Sequence, residues 1–123
     1  MRRETRQRRA IRNALEAAGH PLSPTEILEA AKARVEGLGI ATVYRNLKHL
    51  MGEGWIDSVE LPGEAPRYEI SGKDHHHHFL CRECDRMYEV EGCPAGVRSV
   101  TPDGFQLENH DLVLYGLCQT CIA

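Results

Sequence analysis

Four cysteines constrain this chain more than any other residues. Cys81 and Cys84 form one CxxC pair, Cys118 and Cys121 another, with 33 residues between the pairs. Two residues between thiolates let both sulfurs of a knuckle face one tetrahedral centre about 2.3 Å away, and a second knuckle closes the shell. The intervening chain must therefore fold back until its two ends meet. A closed sulfur shell leaves no open position, which argues against catalysis there. Structural zinc (Zn2+) is the expected occupant, and iron in a rubredoxin-like site fits the same geometry.

The second half needs that metal. SGKD at 71–74 is small, polar and turn-prone, and reads as a hinge. Beyond it HHHHFLC, MYEVE, FQLE and DLVLYGL read as short strands, with a helical pattern only at Ala95 to Val100. About 50 residues of mixed strand cannot bury enough apolar surface alone, so a structural metal or a dimer interface is required. The chain shows no run of about 18 apolar residues, and no apolar signal core follows MRRETRQRRAIR. A cytoplasmic protein with no membrane association is expected, and a reducing compartment favours metal over disulfides.

The first half is helical. Thr5 to Ala18 carries a weak helical period through Ile11, Leu15 and Ala18, with Gly19 as a stop. Ser23, Pro24 and Glu26 spell a capping box with proline at the first helical position, predicting a helix to about Arg34. A third helix in ATVYRNLKHLMGEG puts Val43, Leu47, Leu50 and Met51 on one face and leaves Thr42, Tyr44, Arg45 and Lys48 largely on the other. WIDSVEL and RYEI then read as strands joined by PGEAP. Three helices followed by a hairpin form a winged helix-turn-helix, residues 1–70, whose third helix would enter the major groove with Tyr44 and Arg45 leading. Small three-helix units that bind no DNA share this pattern.

Charge is unevenly spread. Residues 1–60 hold ten Lys/Arg against eight Asp/Glu, and residues 61–123 five against ten. Arg2, Arg3, Arg6, Arg8, Arg9 and Arg12 crowd the start against Glu4 alone. Such an arm suits phosphates, although a solvated helix start explains it equally well.

The run His75 to His78 carries a separate message. If it is extended, side chains alternate, so His75 and His77 face one way and His76 and His78 the other. One strand could then serve two metal centres. A solvated polar strand is the bland reading, but four adjacent imidazoles have no packing rationale. Glu69, Glu89 and Glu91 could complete such sites, and a nitrogen and oxygen shell suits Fe2+, Mn2+ or Zn2+ alike.

TRQRRAIRNAL, HPLSPTEIL, GIATVYRNLKHLMGEG, RYE, HHHHFLCREC and LYGLCQTC, in this order, resemble the ferric uptake regulator family over nearly the whole chain. The resemblance implies an α+β protein: an N-terminal winged helix-turn-helix domain, a hinge, and a small α/β zinc-stapled dimerisation domain over 75–123. It implies a homodimer that represses transcription from palindromic operator DNA when loaded with a divalent metal. Structural zinc would fall to Cys81, Cys84, Cys118 and Cys121, and a regulatory ion to Glu69, His76, His78 and Glu89, with His20 as an added ligand displaced by one residue from the family position. A possible additional site matches His75, His77 and His110. Its acid is missing from the shortened segment CPAGVRSVTPDG, which leaves Glu91, Cys93 or no residue to complete it; for Cys93 a small buried role is the preferred reading. DNA contacts would fall to Tyr44, Arg45, Thr42 and Lys48, with Arg8 and Arg9 on phosphates. Peroxide sensors of the family typically carry aspartate at Glu89 and asparagine at Arg45, and zinc-uptake members often carry cysteine near Ser71 with an aspartate matching Asp57. Iron or manganese is therefore favoured, with a zinc-uptake or peroxide-sensing regulator as the alternative.

Two rivals remain. A zinc hydrolase or deaminase would need HExxH, or HxE followed by PCxxC, and neither is present. A zinc-ribbon protein-interaction module explains the four cysteines but neither the helical half nor the histidines.

Overall fold

A computed structural model describes residues 5–93 and 96–122. Arg2, Arg3, Glu4 and Ala95 lie outside the described residues. The chain divides into two compact units, residues 1–72 and 73–123.

The first unit begins with α1 (Arg6–Ala18), whose Thr5 hydroxyl accepts from the Arg8 amide; it ends at Gly19, where a φ of 68° suits glycine. α2 (Pro24–Ala31) opens with the capping box expected: the Glu26 amide donates to Ser23 Oγ at 3.2 Å and the Ser23 amide to Glu26 Oε1 at 2.9 Å. It stops at Lys32, short of Arg34, and a turn carries the chain on. α3 (Ile40–Gly52) follows. Val43, Leu47 and Leu50 point into the core with Ile11, Leu15, Ile27 and Ile56. Met51, expected on that face, is 42% exposed, because the buried stripe runs through Asn46 instead. Asn46 donates to the Thr42 carbonyl at 2.9 Å and accepts from Arg8 Nε at 3.2 Å, so its polarity is satisfied.

β1 (Ile56–Val59) and β2 (Arg67–Ile70) pair antiparallel, with Ile56 opposite Ile70 and Asp57 opposite Glu69. The hairpin gains a third segment, by a single bridge, that the sequence did not announce. Leu22 exchanges both backbone hydrogen bonds with Tyr68, at 2.9 and 2.8 Å, tying the segment before α2 to the wing.

The second unit is a three-stranded sheet in the order β4-β3-β5: β3 (His77–Cys81), β4 (Met87–Val90) and β5 (Val113–Gly116). β3 runs antiparallel to β4 and parallel to β5. No strand forms at FQLE among the described residues, and the expected helical stretch is a single 3-10 turn, Val97–Val100. The unit is thus chiefly β, with Leu80, Cys81, Met87 and Cys118 as its buried apolar side chains.

Candidate metal centres

The parallel pairing of β3 with β5 sets Cys81 beside Gly116, so both CxxC knuckles arrive at the same end of the sheet. The four sulfurs of Cys81, Cys84, Cys118 and Cys121 lie within 4.8 Å of one another, with Cys84 and Cys118 at 3.8 Å. That is about the edge of a sulfur tetrahedron around zinc. Each knuckle is a tight turn: the Asp85 amide returns to the Cys81 carbonyl at 2.9 Å with Asp85 at a φ of 63°, and the Cys121 amide returns to the Cys118 carbonyl at 3.0 Å. The Cys118 amide also donates to Cys81 Sγ at 3.3 Å. A hydrogen bond from Tyr88 holds the Cys118 thiol down at about 6, and the same sulfur pushes Cys121 up to about 12. One thiolate forms readily and its neighbour resists a second charge, which is the electrostatic condition a divalent cation relieves.

At the other end of β3 the histidines alternate as their spacing predicted. His78 faces Glu89 across the β3–β4 ladder. His76 and His78 stack edge to face with ring centroids 4.8 Å apart, and His76 Nε2 lies 3.9 Å from Glu89 Oε1. His76 Nδ1 sits 2.8 Å from the Asp74 carbonyl, a contact that orients the ring and leaves Nε2 for a metal. Lys73 forms an ion pair with Glu89. This is a two-nitrogen, one-carboxylate set. Glu69 stands on β2 in the first unit, opposite Asp57. His20, with Nδ1 3.0 Å from the Pro21 carbonyl, joins no ligand cluster among the described residues.

The odd histidines converge with a fourth donor. His75 Nε2 lies 3.1 Å from His77 Nε2 and 3.2 Å from His110 Nε2, and His77 lies 3.2 Å from His110. Cys93 Sγ lies 3.2 Å from His77 and 3.5 Å from His110. The expectation of a buried Cys93 is corrected: the residue is exposed, because Gly92, at a φ of 79°, turns the chain out of β4 just before it. Glu91 joins no cluster among the described residues. His77 is 1% exposed, and burial, with His75 and His110 beside it, holds its pKa below the ordinary histidine value.

On α3, Tyr44, Arg45 and Lys48 are exposed and Thr42 half-buried, and Arg45 Nη2 donates to Thr42 Oγ1 at 3.3 Å. Arg9 is exposed on α1. The assignment of Arg8 to phosphate is corrected: at 8% exposure it is spent on Asn46 and on Glu53, 3.4 Å away, and ties α1 to α3.

The sequence profile of the ferric uptake regulator family matches residues 2–115. This chain belongs to the ferric uptake regulator family. The family is one of metal-responsive regulators, not enzymes. The chain is 33% identical over 124 residues to the zinc uptake regulation protein of Mycobacterium tuberculosis, covering 97% of this chain and 94% of that one. The solved Helicobacter pylori ferric uptake regulator, described as having three functional metal-binding sites, superposes with a TM-score of 0.75 at 28% identity, over 98% of this chain and 83% of that one. A zinc-bound manganese uptake regulator superposes with a TM-score of 0.81 at 26% identity, over 95% and 91%. No helix among the described residues is long and apolar enough to cross a membrane.

Proposed function

We propose that this chain is a metal-dependent transcriptional repressor that binds palindromic operator DNA as a homodimer. The observation that carries the reading is the His76, His78 and Glu89 set, which follows directly on the unit that bears the exposed polar face of α3. Structural zinc would be held by Cys81, Cys84, Cys118 and Cys121. A regulatory ion would be held by His76, His78 and Glu89, with Glu69 as the ligand from the first unit. This donor set has no thiolate, which suits Fe2+ or Mn2+ as well as Zn2+. Bound there, the ion would supply coordination bonds that tie the proposed ligands together across the expected hinge, residues 71–74.

The residues of the chain do the rest. Shifting a two-state hinge from mostly open to mostly closed takes about 5.5 kcal/mol of differential affinity. Glu69 would supply it by being a ligand in one arrangement and a solvated carboxylate in the other. Tyr44 and Arg45 would reach base edges, while Thr42, Lys48 and Arg9 would meet the backbone. A second copy is supported by β5, an edge strand of the described sheet, and by exposed Phe105, Leu114, Tyr115, Leu117 and Ile122.

A gel shift on genomic fragments, with and without Mn2+, tests the reading. Metal-dependent, salt-sensitive retardation is expected. Absence of retardation under every metal leaves the protein-interaction module standing. Arg45→Ala should relax sequence preference by about 1–3 kcal/mol; equal weakening of specific and non-specific binding removes its base-reading role.

A further inference from the structure

We infer that Cys93 is the fourth ligand of the centre at His75, His77 and His110, giving it a mixed imidazole and thiolate shell that selects zinc over manganese or iron. The likeness to known regulators leads one to expect three histidines and an acid, and the acid is absent here. The geometry instead supplies a sulfur.

Five of the six edges between these four donor atoms measure between 3.1 and 3.5 Å. A regular tetrahedron with edges of about 3.2 Å has its centre about 2.0 Å from each corner, the zinc–imidazole distance. Hydrogen bonding alone does not account for such convergence. Each neutral imidazole carries one proton on one of its two nitrogens, so three Nε2 atoms each within 3.2 Å of the other two cannot all be satisfied by donating to one another. His77 is buried, and its ring is fixed from behind by the Leu112 amide, which donates to Nδ1 at 3.2 Å. That contact leaves the proton of the neutral ring on Nε2, where a cation must displace it.

The donor set chooses the ion. Thiolate is a soft ligand that favours zinc, whereas Mn2+ prefers oxygen, and exchanging an expected carboxylate for Cys93 moves the centre toward zinc. Access is open as well. A cleft of about 480 Å³, lined by His75, Cys93, Val97, Arg98, Glu108 and His110, meets the cluster, giving an ion and a chelator a path to it.

The test uses full-length protein whose four-cysteine site is already filled with zinc, titrated with Co2+ as an optical probe and with Zn2+ in competition. A new sulfur-to-cobalt charge-transfer band is expected, abolished in Cys93→Ala, with zinc affinity at this centre falling on the order of 100-fold. Cys93→Asp, which restores an acid, should bind Mn2+ more tightly than the parent and lose the band. Cys93 is exposed, so both variants should fold, and unchanged zinc content at the four-cysteine site checks that. A cobalt spectrum without the band, or equal zinc affinity in parent and Cys93→Ala, overturns the inference. The readout is metal binding alone, so its failure is separable from any failure of DNA binding.

Discussion

In the first unit eleven apolar side chains, from Ala10 on α1 to Ile56 on β1, close around one another in a core drawn from three helices and a hairpin. In the second unit the buried side chains are Leu80 and Met87 together with Cys81, Cys118, His77 and His78, so most of what is shielded from water there is a candidate ligand. The first unit can hold its shape by removing hydrocarbon from water. The second has too little hydrocarbon to remove, and coordination must supply what packing does not. One chain therefore uses two ways of being folded, and it separates them between Gly72 and Lys73.

Cys81→Ser should break the contrast most severely. Structural zinc contributes about 10–16 kcal/mol in small domains, more than a unit of this size has in reserve. Amide signals from residues 73–123 should collapse in an NMR spectrum while those of the first unit persist; joint loss of both would show that the units are not independent. Leu47→Ala comes next and should do the reverse. Leu47 is 2% exposed, and its truncation should cost the first unit about 2–5 kcal/mol in urea unfolding without changing zinc content.

A smaller effect separates two neighbouring arginines. Arg8→Ala should cost about 1–3 kcal/mol of first-unit stability, because the buried Asn46 oxygen loses its donor. Arg9→Ala should leave stability within about 0.5 kcal/mol but lower the salt slope of DNA binding by about one. Identical behaviour of the two would remove the structural role given to Arg8. The smallest effect comes from protons at His77. Its pKa is lowered in the fold by burial, so the unfolded chain takes up the proton first, near pH 6.5. Second-unit stability should be full above that pH and decline as pH falls below it, seen as a lower thermal midpoint in acid.

What could be read from the residues followed local chemistry. The Ser23 and Glu26 capping box, the Gly19 stop, the paired knuckles and the alternation of His75 to His78 each depend on spacing within a few positions. What could not be read depended on distant partners. Nothing around Arg8 announces that a guanidinium in a basic run will be claimed by Asn46, 38 residues away. Cys93 looked like a filler because its neighbours in sequence are not its neighbours in space; the turn at Gly92 and the return of His110 bring the set together. FQLE has the alternation of a strand but no partner to pair with among the described residues, and alternation without a ladder leaves it irregular.

The parallel register of β3 and β5 has one more outcome. Ligand groups sit at both ends of this strand pair, the sulfurs from Cys81 and Gly116 onward, and the imidazoles of His75, His77 and His110 at the start. The stretch 101–109, outside any helix or strand and largely exposed, lies in the connection from β4 to β5 and is not what keeps β5 beside β3. With ions in both centres, a protease that nicked it would produce two peptides still riveted together at either end, to be parted by a chelator that drew the rivets.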